Sequence, residues 1–324
     1  GMADTQALAA LRESITLMVE VEGPGGGVQT HTALTAALSY YDRNYSKFPP
    51  ALLASEVCKV RRMVQLMLAE PQPDLRRRDS RQVAGWLTAL LGNLAFHLDD
   101  PGAAALHLAT ATSLGADVGD NWLVCWTLGA RAMIAHYNDD HTAAIEHALH
   151  ALELADTPLR EAQMLTWGLL RPTAALGRSA EAASASRRAL TLLEGAEDLP
   201  GRFGFDLAEA EVHLGEGALL AGDAGQARMY AEQSISHIPH GRPGWAAAQV
   251  VLARAQVARG QLSDGAALGL DVLDVIPAED LRATTRARLV VLADELQTGR
   301  APISEARQFT ERLAALPSLP GFET

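Results

Sequence analysis

The sequence predicts an all-α protein built from about six antiparallel helix pairs, and three observations lead to this prediction. Hydrophobic residues make up 48% of the 324 residues and aromatic residues only 5%, and much of the apolar content is alanine and leucine, which favour helices. Turn signals recur along the chain at a nearly constant spacing. Small residues recur at fixed distances from each turn, as expected of stacked helical repeats.

Six dipeptides that favour turns each end one apolar segment and begin the next. They are Asp99-Asp100, Asp139-Asp140, Gly177-Arg178, Gly222-Asp223, Gly260-Gln261 and Gly299-Arg300. Their spacings are 40, 38, 45, 38 and 39 residues. We therefore predict six helix pairs between about residues 83 and 316, each with its turn at one of these dipeptides.

Small side chains flank each turn at matching positions on the two helices. Five residues after the first member of each dipeptide stand Ala104, Ala144, Ala182, Ala227, Gly265 and Ser304. Seven residues before it stand Gly92, Ala132, Leu170, Gly215, Ala253 and Leu292, of which four are small. Two helices joined by a tight turn must approach closely near it, and a large side chain there would force them apart.

Capping residues predict where the helices begin and end. The expected N-caps are Asp100, Asp140, Asp223, Ser263 and, before Pro158, Thr157. Pro239 and Pro277 each lie seventeen residues after a turn, where the second helix of a pair should stop.

This pattern resembles the tetratricopeptide repeat. The small–small contact of that family falls on Gly92/Ala104, Ala132/Ala144 and Gly215/Ala227, and its closing proline on Pro239 and Pro277. The repeats here span 38–45 residues rather than about 34, and the early tryptophan of the family is not matched. The resemblance implies a right-handed superhelix with longer helices than usual.

Four phrases carry a more specific resemblance, and they lie at 91–100, 119–126, 203–206 and 214–223. Together they are similar to the C-terminal sensor region of helix-turn-helix transcriptional regulators of the XRE type from high-GC Gram-positive bacteria. In that family a short DNA-binding domain precedes a helical array that receives a signal or a partner. Related regulators bind an oligopeptide on the concave face of such an array.

Residues 1–82 are expected to form N-terminal capping helices without a recognisable DNA-binding domain. Helices are predicted at about 5–20, 29–45 and 50–69, with a flexible glycine-rich break at 23–27. The breaks are too wide for a helix-turn-helix, and the third helix is too apolar to enter a DNA groove. The chain is thus either shortened or works without its own DNA reader. Residues 83–316 are the predicted repeats, and 317–324 a flexible tail.

Charge and hydropathy limit the partners. The formal net charge of −12 predicts repulsion of a phosphate backbone, so we expect no direct nucleic-acid binding by this chain. The dense basic cluster, formed by Arg61, Arg62, Arg76, Arg77, Arg78 and Arg81, is interpreted as a solvated helix face paired with Asp74 and Asp79. No stretch approaches about 18 uninterrupted apolar residues, which predicts a cytoplasmic protein with no membrane partner.

Motifs for metal binding and catalysis are missing from the sequence. Histidine pairs occur at His136/His141, His147/His150 and His237/His240, but none has the spacing of a known metal motif. The two cysteines do not make a ligand set. No nucleophile elbow or catalytic triad stands in a credible context. We expect no metal, no cofactor and no enzymatic activity.

The concave groove is the remaining candidate for a site, since the first helix of each pair should line it. Its predicted ligand-binding residues are Trp86, Asn93, His97, Trp126, Met133, His136, Tyr137, Trp167, Arg171 and Arg254. Aromatic rings would take side chains of a peptide, and asparagine or arginine would hold its carbonyls or a carboxylate. The alternative for Trp126 and Trp167 is a place in the core between repeats.

The sequence thus predicts the ligand- or partner-binding module of a transcriptional regulator, with a peptide-like or small amphipathic ligand in the groove. The alternative is a scaffold that docks a segment of another protein and has no small-molecule ligand. An enzyme ranks third. A homodimer is also considered, because the apolar C-terminal pair, which ends at 313–317, has no obvious polar cap.

Overall fold

The computed structural model describes residues 1–298 and 303–319, and these residues fold into helices. In chain order the helices are α1 (Met2–Glu22), α2 (Val28–Asn44), α3 (Pro50–Leu68), α4 (Asp74–His97), α5 (Pro101–Val118), α6 (Asn121–Tyr137), α7 (His141–Leu154), α8 (Pro158–Met164), α9 (Leu170–Ala175), α10 (Ser179–Leu193), α11 (Leu207–Leu220), α12 (Ala224–His237), α13 (Pro243–Ala258), α14 (Leu262–Val275), α15 (Ala283–Gln297) and α16 (Ser304–Ala314). A π-helical turn, Leu165–Leu169, joins α8 to α9. The described part of the chain contains one isolated β-bridge, Leu199–Phe205, and no strand.

Helices α4 to α16 form the six predicted pairs, with α8 and α9 acting together as the first helix of the third pair. The all-α, tetratricopeptide-like architecture is therefore confirmed. Helix α4 begins at Asp74, so the boundary expected after residue 82 falls inside a helix. The turn expected at Gly299-Arg300 lies outside the described residues, as does most of the predicted tail.

The predicted turns share one backbone conformation. Asp99, Asp139, Gly177, Gly222 and Gly260 all have positive φ, between 59° and 83°. In each case the next amide donates to the carbonyl of the residue four positions before the turn residue, which closes the preceding helix. Two of the five positions hold aspartate. Glycine would adopt this conformation at a lower energetic cost, because it has no Cβ atom.

Helix starts follow the predicted caps with one exception. The side chains of Asp100, Asp140, Thr157 and Asp223 each accept a hydrogen bond from the amide three residues ahead. The prediction for Ser263 is wrong, because α14 begins at Leu262 and its N-cap is Gln261. The expected stops are confirmed, since α12 ends two residues before Pro239 and α14 two residues before Pro277.

Two arginines of the basic cluster have other partners than the predicted ones, Asp74 and Asp79. Arg77 donates to the carbonyl oxygen of Leu68 at 3.1 Å, and Arg78 donates to that of Val118 at 2.6 Å. These carbonyls lie at the C-terminal ends of α3 and α5, where helical partners are missing. The two arginines therefore cap neighbouring helices, and among the described residues neither forms an ion pair with Asp74 or Asp79.

The chain divides into two compact units. Unit 1 comprises Gly1–Arg131 together with Gly201–Phe203, and unit 2 comprises the described residues of Ala132–Pro200 and Gly204–Leu319. In unit 1 the core joins large apolar side chains of α1–α4, such as those of Tyr41 and Leu53. In unit 2 the helices approach closely at small residues: a methyl group built on Gly265 would lie 2.9 Å from the carbonyl oxygen of Ala253. None of the described helices is both long enough and apolar enough to cross a membrane.

Candidate functional site

A proline places the first residue of the site. Pro172 in α9 has no N–H, so a carbonyl one turn earlier loses its helical donor. The helix widens into the π-turn Leu165–Leu169 just before this point, with the Leu170 amide bonded to the Leu165 carbonyl. The Arg171 guanidinium donates to the Trp167 carbonyl oxygen at 3.0 Å through Nη2. The local sequence thus ties Arg171 to its own helix, on the interior of unit 2.

Arg171 is one of two guanidinium groups that share a single carboxylate. Its Nη1 donates to Oε2 of Glu216 at 3.0 Å, and Nε of Arg288 donates to Oε1 of the same side chain at 2.6 Å. The side chains of Arg171, Glu216 and Arg288 are 1%, 11% and 12% exposed. A buried Arg–Glu–Arg cluster is the result.

An aromatic ring completes this cluster. The guanidinium carbons of Arg171 and Arg288 lie 5.7 and 5.8 Å from the ring centroid of Tyr137, within cation–π range. The four side chains come from α6, α9, α11 and α15, which belong to the first helices of pairs two, three, four and six. The cluster thus joins the first helices of four of the six pairs, and its place on an inner face of the repeats stays a prediction.

The charges of the cluster do not cancel. Burial alone would raise the pKa of Glu216, but Arg288 and Arg171 outweigh it and hold this pKa well below its usual range. Burial, followed by the charge of Arg171, lowers the pKa of His136 to about 3. Burial likewise lowers the pKa of His213. At neutral pH the group therefore holds two cations, one anion and neutral imidazoles, which leaves one positive charge uncompensated.

The cluster also holds unused hydrogen-bond donors. Nε of Arg171 is buried and has no hydrogen-bond partner. Within residues 1–298 and 303–319 the only hydrogen bond of Arg288 is the one from its Nε, so its two terminal nitrogens donate to nothing. An uncompensated positive charge with unused donors is complementary to a carboxylate or another oxyanion.

Among the predicted groove residues of unit 2, Tyr137 and Arg171 meet in the cluster, and His136 lies beside it. Nδ1 of His136 is 3.2 Å from Nδ1 of His141. Three other predicted residues are not among the four side chains of the cluster. Met133 and Trp167 are buried, and Arg254 donates to Glu295 at 2.7 Å. Their role in ligand binding stays a prediction.

Sequence reasoning missed Glu216 and Arg288, although a signal for each was present. Glu216 stands between two glycines in an otherwise apolar stretch of α11, and Arg288 precedes the apolar run Leu289–Val291 in α15. A charge within an apolar helical stretch needs a partner when it is buried.

In unit 1, Asp120 fixes the orientation of Trp86. One carboxylate oxygen of Asp120 accepts from the Leu123 amide at 3.0 Å and so caps α6. The other accepts from Nε1 of Trp86 and from Gln82, both at 2.9 Å. Trp86 is half-buried, and its indole is held in place from one edge.

A second aromatic side chain packs between Trp86 and Trp126. The ring of Phe203 lies edge-on to both indoles, with centroid distances of 4.4 Å to Trp86 and 4.9 Å to Trp126. Trp126 itself is fully buried, which agrees with the core alternative considered for it.

The two remaining predicted residues form a buried polar network with Tyr45. Nδ2 of Asn93 donates to the Tyr45 hydroxyl at 3.0 Å, and this hydroxyl shares a hydrogen bond of 2.9 Å with Nδ1 of His97. All three side chains are buried. Asn93 and His97 thus have partners inside unit 1, and their part in ligand binding stays a prediction.

Comparisons with known proteins give similarity to solved structures but no match in sequence. No protein-family model and no curated protein matches the sequence. The crystal structure of yeast Tom70 is similar with a TM-score of 0.46 and 11% sequence identity. The similarity covers 95% of this chain and 62% of the Tom70 chain, so this chain spans less than two thirds of that protein. Among the described residues there is no cluster of three or more histidine, cysteine or acidic side chains that could hold a metal ion.

Proposed function

We propose that this chain is a helical-repeat binding module that takes a carboxylate-bearing peptide on the inner side of unit 2. The observation that supports it is the charge imbalance of the cluster formed by Arg171, Glu216 and Arg288. A buried charge is costly unless it is paired, and one guanidinium here has no counter-charge of its own. A ligand carboxylate would supply that counter-charge.

The geometry favours Arg288 as the group that meets the ligand. Both terminal nitrogens of Arg171 already donate hydrogen bonds, one to Glu216 and one to the Trp167 carbonyl oxygen. The terminal nitrogens of Arg288 have no hydrogen bond within the described residues. Arg288 is also the more exposed of the two arginines. Tyr137 stands beside both guanidiniums and offers a ring face for an apolar part of the ligand.

The biological setting proposed for this module is signal reception in a cytoplasmic transcriptional regulator. This part rests on the resemblance of the four phrases to the sensor region of XRE-type regulators. A ligand acts in such a module by binding one of two conformations more tightly and thereby shifting their populations. The proposal gives the chain a binding role and no catalytic one.

A paired peptide array tests the proposal. Each peptide is synthesised once with a free C-terminal carboxylate and once as the amide, and the array is read with the full chain and with Arg288→Met. The matched control is Arg228→Met, since Arg228 pairs with Glu232 on the exposed face of α12.

We expect a set of peptides whose binding requires both the free carboxylate and Arg288, and which the control variant binds as well as the unaltered chain does. Binders that tolerate both amidation and Arg288→Met would count against the carboxylate site. A pattern of that kind, with strong binding retained, would favour the scaffold alternative.

A further inference from the structure

The connection between α10 and α11 sends three of its residues into unit 1. This connection accounts for the longest spacing between turns, 45 residues. Within it, Gly201–Phe203 belongs to unit 1, although the residues on either side belong to unit 2. The partners of this tripeptide are distant in sequence: Asp42, which binds the Phe203 amide, is 161 residues away.

The tripeptide is held as a bound peptide would be held. The Arg202 amide donates to the Asp42 carbonyl oxygen at 3.0 Å, and the Phe203 amide donates to the Asp42 carboxylate at 2.7 Å. Asp42 thus accepts hydrogen bonds from two consecutive backbone amides. Because these bonds involve only the main chain, a segment of another protein could form them equally well.

Two side chains of the tripeptide enter matching aromatic positions. Phe203 packs edge-on against Trp86 and Trp126, and the Arg202 guanidinium lies 5.8 Å from the ring centroid of Tyr45. Both contacts are specific for residue type, since one needs an aromatic ring and the other a cation. Phe203 stays half-buried, so its ring is not enclosed in the core.

The position before the arginine admits only glycine. Gly201 has a φ of +102°, and a methyl group built on it would lie 2.6 Å from one oxygen of the Asp42 carboxylate. A larger residue would force either the tripeptide or the Asp42 carboxylate to move, and either movement strains the two hydrogen bonds to Asp42. The segment is thus held through a few contacts that a single methyl group can break.

We propose that the cleft formed by Asp42, Tyr45, Trp86 and Trp126 is a binding site for an arginine–aromatic segment of a partner protein, and that Gly201–Phe203 is an internal occupant which the partner displaces. The occupant specifies the chemistry of the partner: two consecutive backbone amides bonded to Asp42, a cation near the Tyr45 ring and an aromatic ring against the two tryptophans. This site goes beyond the function proposed above, because it lies in unit 1 and uses neither Arg171 nor Arg288.

A peptide that copies residues 199–206 of this chain, labelled with fluorescein, serves as the probe. Its affinity is measured by fluorescence anisotropy against the unaltered chain and against Gly201→Ala, whose added methyl group collides with the Asp42 carboxylate and should evict the occupant without changing any side chain of the cleft. The matched control is Gly195→Ala in the same connection. Gly195 also has positive φ, at +73°, but no atom lies within 4 Å of the added methyl group.

A tethered occupant competes at an effective concentration in the millimolar range, so its eviction strengthens binding of a free competitor. We expect Gly201→Ala to bind the probe at least about tenfold more tightly than the unaltered chain, and Gly195→Ala to match the unaltered chain. A probe in which alanine replaces the phenylalanine that corresponds to Phe203 should not bind. Equal affinity of Gly201→Ala and the unaltered chain would overturn the proposal, as would equal gains in both glycine variants.

Hydrogen exchange keeps the test decisive if Gly201→Ala fails to fold. In the unaltered full chain, the Phe203 amide should exchange through local release, at a rate that low concentrations of denaturant leave unchanged. Exchange of this amide only with global unfolding would show that the tripeptide is a permanent part of the fold, and the proposal would be wrong.

Discussion

Replacing Glu216 by glutamine tests how the buried cluster is balanced. The carboxylate accepts hydrogen bonds from Arg171 and Arg288, and all three side chains are at least about nine-tenths shielded from solvent. Glutamine keeps the shape and one acceptor oxygen but removes the only negative charge. Removing one partner of a buried ion pair typically costs about 3–5 kcal/mol, because the remaining charge stays buried and unpaired. We expect Glu216→Gln to fall in that range.

The assay is urea unfolding followed by circular dichroism at 222 nm. With a denaturant dependence of about 2–3 kcal/mol per molar urea, the loss corresponds to a midpoint lower by about 1–2.5 M. The control is Glu232→Gln, which removes an exposed i,i+4 pair with Arg228 and should change the free energy of unfolding by less than about 0.5 kcal/mol. If the two variants lowered the urea midpoint equally, the buried carboxylate of Glu216 would matter no more to stability than an exposed one.

The dependence of this difference on pH has a defined sign. The pKa of Glu216 is depressed in the folded protein, so its stabilising contribution is fully present above the unfolded pKa, about 4.5, and is lost as pH falls toward the folded pKa. The advantage of the unaltered chain over Glu216→Gln should therefore be constant above about pH 5 and shrink below about pH 4.5. An advantage that grew on acidification would contradict the assignment.

Three further predictions concern the repeats, each measured as a change in the free energy of unfolding in urea. Asp139→Gly should stabilise by about 0.5–1 kcal/mol, because Asp139 has a φ of 59° where other turns use glycine; a loss would mean that the aspartate side chain matters more. Asp100→Ala should cost about 1 kcal/mol through the lost cap on Ala103, and no change would deny the cap. Gly265→Ala should cost about 1–3 kcal/mol by forcing α14 away from Ala253, and a neutral result would deny the close approach.

The turns and helix caps could be predicted from sequence because they depend on local backbone chemistry. Asp100 and Thr157 cap the helices that directly follow them, and their partners lie three residues away. The prediction for Ser263 failed because the N-cap is Gln261, two residues earlier, so Ser263 is the second residue of α14. Such a difference of one or two residues lies below what capping preferences can resolve.

The candidate site could be predicted only in part, because its contacts are long-range. Arg171 and Tyr137 were found by counting positions back from the turns, which identifies the inner side of each first helix. Glu216 lies 45 residues after Arg171 in the sequence, and Arg288 lies 72 residues after Glu216. Counting positions within one pair gives no information on which distant helices meet.

The contact between Phe203 and the two tryptophans could not be predicted from the sequence, for a different reason. Residues 201–203 lie in an irregular connection, and helical periodicity says nothing about where such a segment packs. The longer spacing of 45 residues was visible in the sequence, but its consequence depends on the Asp42 carboxylate, which is 161 residues away from Phe203.

If the surplus arginine of the buried cluster binds a ligand carboxylate, a double-mutant cycle will show that the two groups are energetically coupled. The affinity of the best peptide from the array is measured as acid and as amide, against the unaltered chain and against Arg288→Met. This variant leaves Arg171 and Glu216 as a balanced pair, so the chain should remain folded. We expect a coupling energy between the carboxylate and Arg288 of at least about 1.5 kcal/mol. A coupling energy near zero, with binding intact in all four combinations, would contradict it.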